Sequence, residues 1–130
     1  MLRYSAVIIA LGLLILAGCQ NADDEFASLP AGDAANGEVL YNEVINGAPT
    51  CASCHHLDDQ AMIGPGLGGY AEIAGERVEG QSAELYTYNS IVYPARYLVD
   101  GYQNIMYTEY GTRLTDQQIA DLVAYMLTLN

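Results

Sequence analysis

At 130 residues the chain has room for one small domain. Sixteen acidic residues face four arginines and no lysine, a formal net charge of −12, and a surface that acidic repels phosphate backbones and argues against nucleic acid as a partner. Three cysteines leave one over after any pairing.

Arg3 precedes an apolar run over residues 4–17, short for a bilayer span, and Leu16-Ala17-Gly18-Cys19 follows directly. This stretch resembles a bacterial lipoprotein signal, which implies cleavage before Cys19 and acylation of that cysteine. An uncleaved signal anchor and an ordinary secretory signal are the alternatives; the small Ala17 and Gly18 favour the lipoprotein form. The expected organisation is a signal peptide over residues 1–18, a lipid-anchored tether over 19–32 and a folded domain over 33–130. Loss of Arg3 with the signal leaves a charge of about −13. Such acidity suits a docking partner whose contact patch is basic. Residues 20–32 carry Asp23, Asp24, Glu25, Ser28, Pro30 and Gly32 without periodicity, so a flexible tether is expected, with a reach of roughly 40 Å when extended.

Helical patterning begins at Asp33, a suitable N-cap. Leu40, Tyr41, Val44 and Ile45 share a face with Gly37, and Asn46-Gly47 is expected to end the helix. Glycine inside a helix costs about 1 kcal/mol against alanine, so Gly37 calls for close helix packing or a tolerated position near the helix start.

Residues 51 to 55 read Cys51-Ala52-Ser53-Cys54-His55, the C-x-x-C-H run of c-type haem attachment. The two thiols can each bond a vinyl group of one porphyrin, and the next residue offers an imidazole to the iron. A zinc knuckle is the first alternative, but zinc needs four ligands, and with Cys19 read as lipidated only the adjacent His56 remains as a further soft or borderline ligand. A redox dithiol is the second, and it lacks the buried strand and βαβ context of that motif.

Residues 64–69 are glycine-rich and read as a loop. Ser82 caps a helix bearing Leu85, Tyr88, Ile91 and Val92, which Pro94 terminates, and Asp100-Gly101 marks a turn. Thr115-Asp116-Gln117-Gln118 is a capping box opening a last helix, whose stripe is Ile119, Leu122, Val123, Met126 and Leu127. With no alternating strand pattern and no internal repeat, the expected class is all-α.

From Asp33 to Asn130 the order of these features resembles class I monohaem cytochrome c. The carriers are the helix leading into Cys51-Ala52-Ser53-Cys54-His55, then Gly64-Pro65-Gly66-Leu67, then Met106 in a loop, then the final helix. The resemblance implies first and last helices crossing, Gly37 and Tyr41 meeting Leu122 and Tyr125, around one covalent haem c held by Cys51 and Cys54. It makes His55 the proximal iron ligand and gives the carbonyl of Pro65 the task of orienting its ring. The other axial position is expected from Met106; Met62, nearer the attachment run, is the alternative, and Met126 lies on the apolar stripe. His/Met ligation is the pattern of electron carriers. Many relatives have proline after that methionine, whereas this chain has Tyr107, which either stiffens the loop or leaves the methionine bond labile.

Eleven tyrosines and no tryptophan suit an amphipathic lining around a porphyrin. Arg77, Arg96, Tyr97 and Tyr102 are candidates to solvate the propionates, which need donors or cations when partly buried. The expected function is single-electron transfer without substrate chemistry, on the extracytoplasmic face of a bacterial membrane. The partners implied are a quinol-oxidising complex, a reaction centre or a terminal oxidase, with alternative complex III a specific case. A haem-based sensor and a peroxidase-like enzyme are the competing classes; both need an open iron position, and no distal His or Arg constellation for peroxide chemistry is identifiable.

Overall fold

The computed structural model describes residues 22–130, so the signal segment and Cys19 lie outside the described residues. Six α-helices follow in order: α1 (Ala22–Ala27), α2 (Ala34–Tyr41), α3 (Tyr70–Ile73), α4 (Ala83–Val92), α5 (Tyr110–Arg113) and α6 (Asp116–Met126). Short 3₁₀ turns occupy Cys51–Ser53 and Ala74–Glu76. Among the described residues there is no strand beyond one isolated bridge, and no helix is long and apolar enough to cross a membrane. The all-α expectation holds.

Helix starts follow local capping chemistry. The Asp33 carboxylate accepts from the backbone of Ala35 at 2.9 Å, the Ser82 hydroxyl from Leu85 at 3.2 Å. At α6 the capping box is complete: Gln118 N–H donates to the Thr115 hydroxyl and Thr115 N–H to the Gln118 side chain. Tyr93, the residue before Pro94, leaves helical geometry at ψ 58°, as the clash with a following pyrrolidine ring requires.

Two expectations need correction. Helix α2 ends at Tyr41, before Val44 and Ile45, and Val44 is 68 % exposed. Asn46 and Gly47, both at positive φ, instead form a tight reversal in which Ile45 and Ala48 exchange backbone hydrogen bonds. Asn-Gly favours such a hairpin turn for the same reason it can end a helix: both residues accept left-handed geometry. The second correction concerns residues 22–32. Helix α1 forms there, with Ala22 buried and Phe26 packed against Tyr88 at 5.7 Å between ring centroids.

The core is centred on the crossing of α2 and α6. A β-carbon on Gly37 would stand 2.1 Å from the Asp121 carbonyl oxygen and 2.6 Å from Tyr125 Cβ. Only glycine lets the two backbones approach so closely, which settles why a poor helix former stands inside α2. Tyr41 and Tyr125 meet edge to face at 5.6 Å beside Leu122, whose burial contributes about 2 kcal/mol. Asp121 is 1 % exposed and fully satisfied: it accepts from Asp33 N–H at 2.7 Å, Asn36 Nδ2 at 2.7 Å and Gln117 Nε2 at 2.8 Å. The α6 carboxylate thereby ties down the start of α2.

Candidate functional site

The C-x-x-C-H run is shaped before any cofactor is considered. The Thr50 hydroxyl accepts from Ser53 N–H at 3.0 Å, and the backbones of Cys54 and His55 both donate to the Cys51 carbonyl at 3.1 Å. This compact turn presents Cys51, Cys54 and His55 to one cavity of about 390 Å³. The loop after it folds back: Gly64 N–H donates to the Cys54 carbonyl at 2.8 Å and Leu67 N–H to that of His56 at 2.9 Å.

That return brings Pro65 to His55. The His55 Nδ1 lies 2.8 Å from the Pro65 carbonyl oxygen. A carbonyl only accepts, so the proton is on Nδ1 and Nε2 keeps its lone pair for a metal. Tyr41, 1 % exposed, donates its hydroxyl to the His55 carbonyl at 2.7 Å. Tyr110 does the same for Pro49 at 2.9 Å, just ahead of the run. These two phenols were not singled out as site residues by sequence, because the carbonyls that they hold, 14 and 61 residues away, come near only in the fold.

The remaining walls come from α4, which contributes Tyr86, Thr87, Ser90 and Ile91, and from the segment between α4 and α5, which contributes Tyr97, Tyr102 and Met106. Met106 therefore shares the cavity with His55, whereas Met62 is exposed and does not line it. Met126 closes part of the wall while packing on the core, so the stripe residue serves both. Tyr97 and Tyr102 line the cavity. Arg77 and Arg96 do not line it. Arg96 is exposed, bonds Asn89 Oδ1 at 2.9 Å and lies 3.9 Å over the Tyr93 ring. Asn89 on α4 and Tyr93 just beyond its end thus hold the guanidinium away from the site.

Among the described residues no Asp, Glu, Lys or Arg lines the cavity. Burial raises the pKa of Tyr41, Tyr70, Tyr86 and Tyr110 above the ordinary phenol value, so these rings are neutral hydrogen-bond donors. Tyr70 donates to the Thr87 hydroxyl at 2.9 Å, since the Thr87 proton goes to the Ala83 carbonyl at 2.7 Å. Burial likewise pushes the free Cys51 thiol up to about 11. A thiol held neutral is the reverse of an activated redox dithiol. Among the described residues no three His, Cys, Asp or Glu side chains gather as a metal-binding group.

The donor set fits one group: two thiols for thioether bonds, an imidazole with its free nitrogen available, a thioether sulfur and apolar walls with phenolic donors. A small all-α domain with such a site belongs to the class built around a covalently attached porphyrin. Residues 34–130 match the family Cytochrome c, and the chain belongs to that family. Covalently bound haem c and haem-based electron transfer come with that membership. No curated protein matches the chain.

Proposed function

We propose that the chain is a lipid-anchored, single-haem electron carrier, or electron-transfer subunit, with His55 and Met106 as axial ligands. The observation that carries this reading is the one cavity shared by Cys51, Cys54, His55 and Met106. A covalently held haem supplies a one-electron iron couple. Cys51 and Cys54 would retain it through local opening of the fold, and His55, its Nδ1–H held by Pro65, would keep its donor orbital fixed. Sulfur from Met106 would favour the ferrous state relative to a second imidazole. An uncharged wall acts in the same direction, because it offers no anion to stabilise ferric iron.

Ile63, Leu98 and Ile105 line the cavity and are also exposed, so its mouth is apolar. A redox partner would meet that mouth, guided by a basic patch complementary to the acidic chain. The partners we propose are a membrane quinol-oxidising complex, a reaction centre or a terminal oxidase on the extracytoplasmic side, with attachment through acylated Cys19.

Reduced-minus-oxidised spectroscopy of the purified holoprotein tests the ligand set. Low-spin iron in both states, with a far-red methionine-to-iron band that vanishes in Met106→Ala, is the expected result. A high-spin ferrous form that binds carbon monoxide at once would overturn electron transfer in favour of ligand sensing. Survival of the band in Met106→Ala would remove Met106 from the iron.

A further inference from the structure

Residues 22–32, expected to swing freely, are fastened at both ends. At the first end Ala22 is 3 % exposed. Glu25 accepts the hydroxyl of Tyr88 at 3.1 Å and that of Tyr93, and Phe26 lies against the Tyr88 ring. Both phenols have raised pKa values, Tyr88 chiefly through burial and Tyr93 chiefly through its bond to Glu25, so both stay protonated as donors. At the second end Gln117 donates to the Ala31 carbonyl at 2.9 Å. There a β-carbon on Gly32 would stand 2.2 Å from the carbonyl oxygen of Ala120. The chain from Ala22 onward is therefore part of the domain, and nothing of the 40 Å reach survives within it.

We infer that α1 is a clamp that sets the orientation of the whole domain on a lipid surface. The inference rests on the reading of Cys19 as the acylated residue. Only Gln20 and Asn21 separate Cys19 from Ala22, a span of about 11 Å at full extension. A domain docked that close cannot tumble above the bilayer; the face carrying α1 is held next to the lipid. Helix α4 lies between that face and the haem cavity: Tyr88 receives α1, while Tyr86, Thr87, Ser90 and Ile91 line the cavity. The cavity is thus held one helix thickness, about 10 Å, from the clamp, at a fixed angle. Asp23 and Asp24 are exposed on α1, so the contact suits zwitterionic lipid and gains nothing from anionic headgroups.

Linear dichroism of the Soret band in oriented phosphatidylcholine multilayers reads the angle of the porphyrin plane in the full-length lipidated holoprotein. A single defined angle is expected, with loss of the anisotropy in the double variant Glu25→Ala/Phe26→Ala, whose solution spectrum should match the parent's. Acylated protein with isotropic haem overturns the clamp alone, and so does a double variant that keeps the parent's anisotropy. Absence of acyl mass on Cys19 overturns the anchor and the clamp together. Should the double variant fail to fold, amide exchange in the unaltered protein decides. Backbone amides of α1 that exchange about tenfold or more slower than free chain support the clamp, and unprotected amides overturn it.

Discussion

Gly64 lies so close to His55 that a β-carbon added to it would stand 2.4 Å from the imidazole Cε1 and 2.7 Å from Nδ1. The ring is thus gripped between the Gly64 backbone and the Pro65 carbonyl, which fixes its tilt as well as its tautomer. In Gly64→Ala the loop must retreat or the imidazole must turn. We expect a destabilisation of about 1–3 kcal/mol and a changed ferric low-spin electron paramagnetic resonance signal. An unchanged signal at unchanged melting temperature would mean that the loop gives way without disturbing the imidazole.

Gly37→Ala sets two effects against each other. Alanine is the better helix former by about 1 kcal/mol. Its β-carbon would, however, fall 2.1 Å from the Asp121 carbonyl oxygen, and α2 and α6 must separate to admit it. Separation wins: we expect a net loss of about 2–4 kcal/mol in chemical denaturation of the holoprotein. Gly75→Ala is the control, since a β-carbon there finds ordinary contacts beginning at 3.6 Å and should change stability by less than about 1 kcal/mol.

The contrast between those glycines shows which parts of the fold were legible in the sequence. Thr115 to Gln118 and the C-x-x-C-H run were readable because the atoms that interact lie within four residues of one another. Gly37 was readable because a costly residue inside a helical pattern demands a reason. Helix α1 was not, because its acceptor Glu25 is satisfied by phenols 63 and 68 residues away. Asn46-Gly47 failed for another cause: helix end and hairpin turn call for the same two residues, and only the partner of Ile45 decides. Of the propionate candidates, the tyrosines reach the cavity, while Arg96 is captured by Asn89 and Tyr93, a competition that charge alone does not reveal.

Asp121 should give the fold an acid-sensitive step. Burial pulls its pKa up, but the hydrogen bonds from Asp33, Asn36 and Gln117 outweigh that, and the net direction is below the ordinary carboxylate value. A depressed folded-state pKa stabilises the fold fully above the unfolded value, and that stability is lost as pH falls through the folded value. Asp121→Asn keeps the shape and removes the titration. At neutral pH we expect it to cost about 2 kcal/mol, the scale of a hydrogen bond to a charged group. Unfolding curves at stepped pH should show the gap between parent and variant closing toward strong acid. A gap independent of pH would assign the loss to packing.

Tyr107, standing where many relatives have proline, is held by two contacts, one of them braced by an ion pair. Its hydroxyl donates to Glu109 at 3.1 Å, its ring meets Tyr110 edge-on at 5.1 Å, and Glu109 is itself paired with Arg113 at 2.7 Å. The Arg113 guanidinium and the Tyr107 hydroxyl hold the Glu109 carboxyl below its ordinary pKa, so it stays an acceptor down to mildly acid pH. Because Glu109 and Arg113 are both exposed, their pairing alone stabilises little and is screened by salt. The aromatic contact is the stronger restraint on the loop that carries Met106. Tyr107→Ala should therefore free the loop, and Tyr107→Phe, which keeps the ring against Tyr110, should leave it nearly unchanged. Carbon monoxide binding to the ferrous holoprotein, followed by stopped-flow absorbance, separates the two. On the proposed Met106 ligation, we expect binding to be about tenfold faster in Tyr107→Ala than in the parent and within about twofold in Tyr107→Phe, one decade being about 1.4 kcal/mol in the opening of the loop. Equal acceleration in both variants would shift the restraint from the ring to the hydroxyl and Glu109.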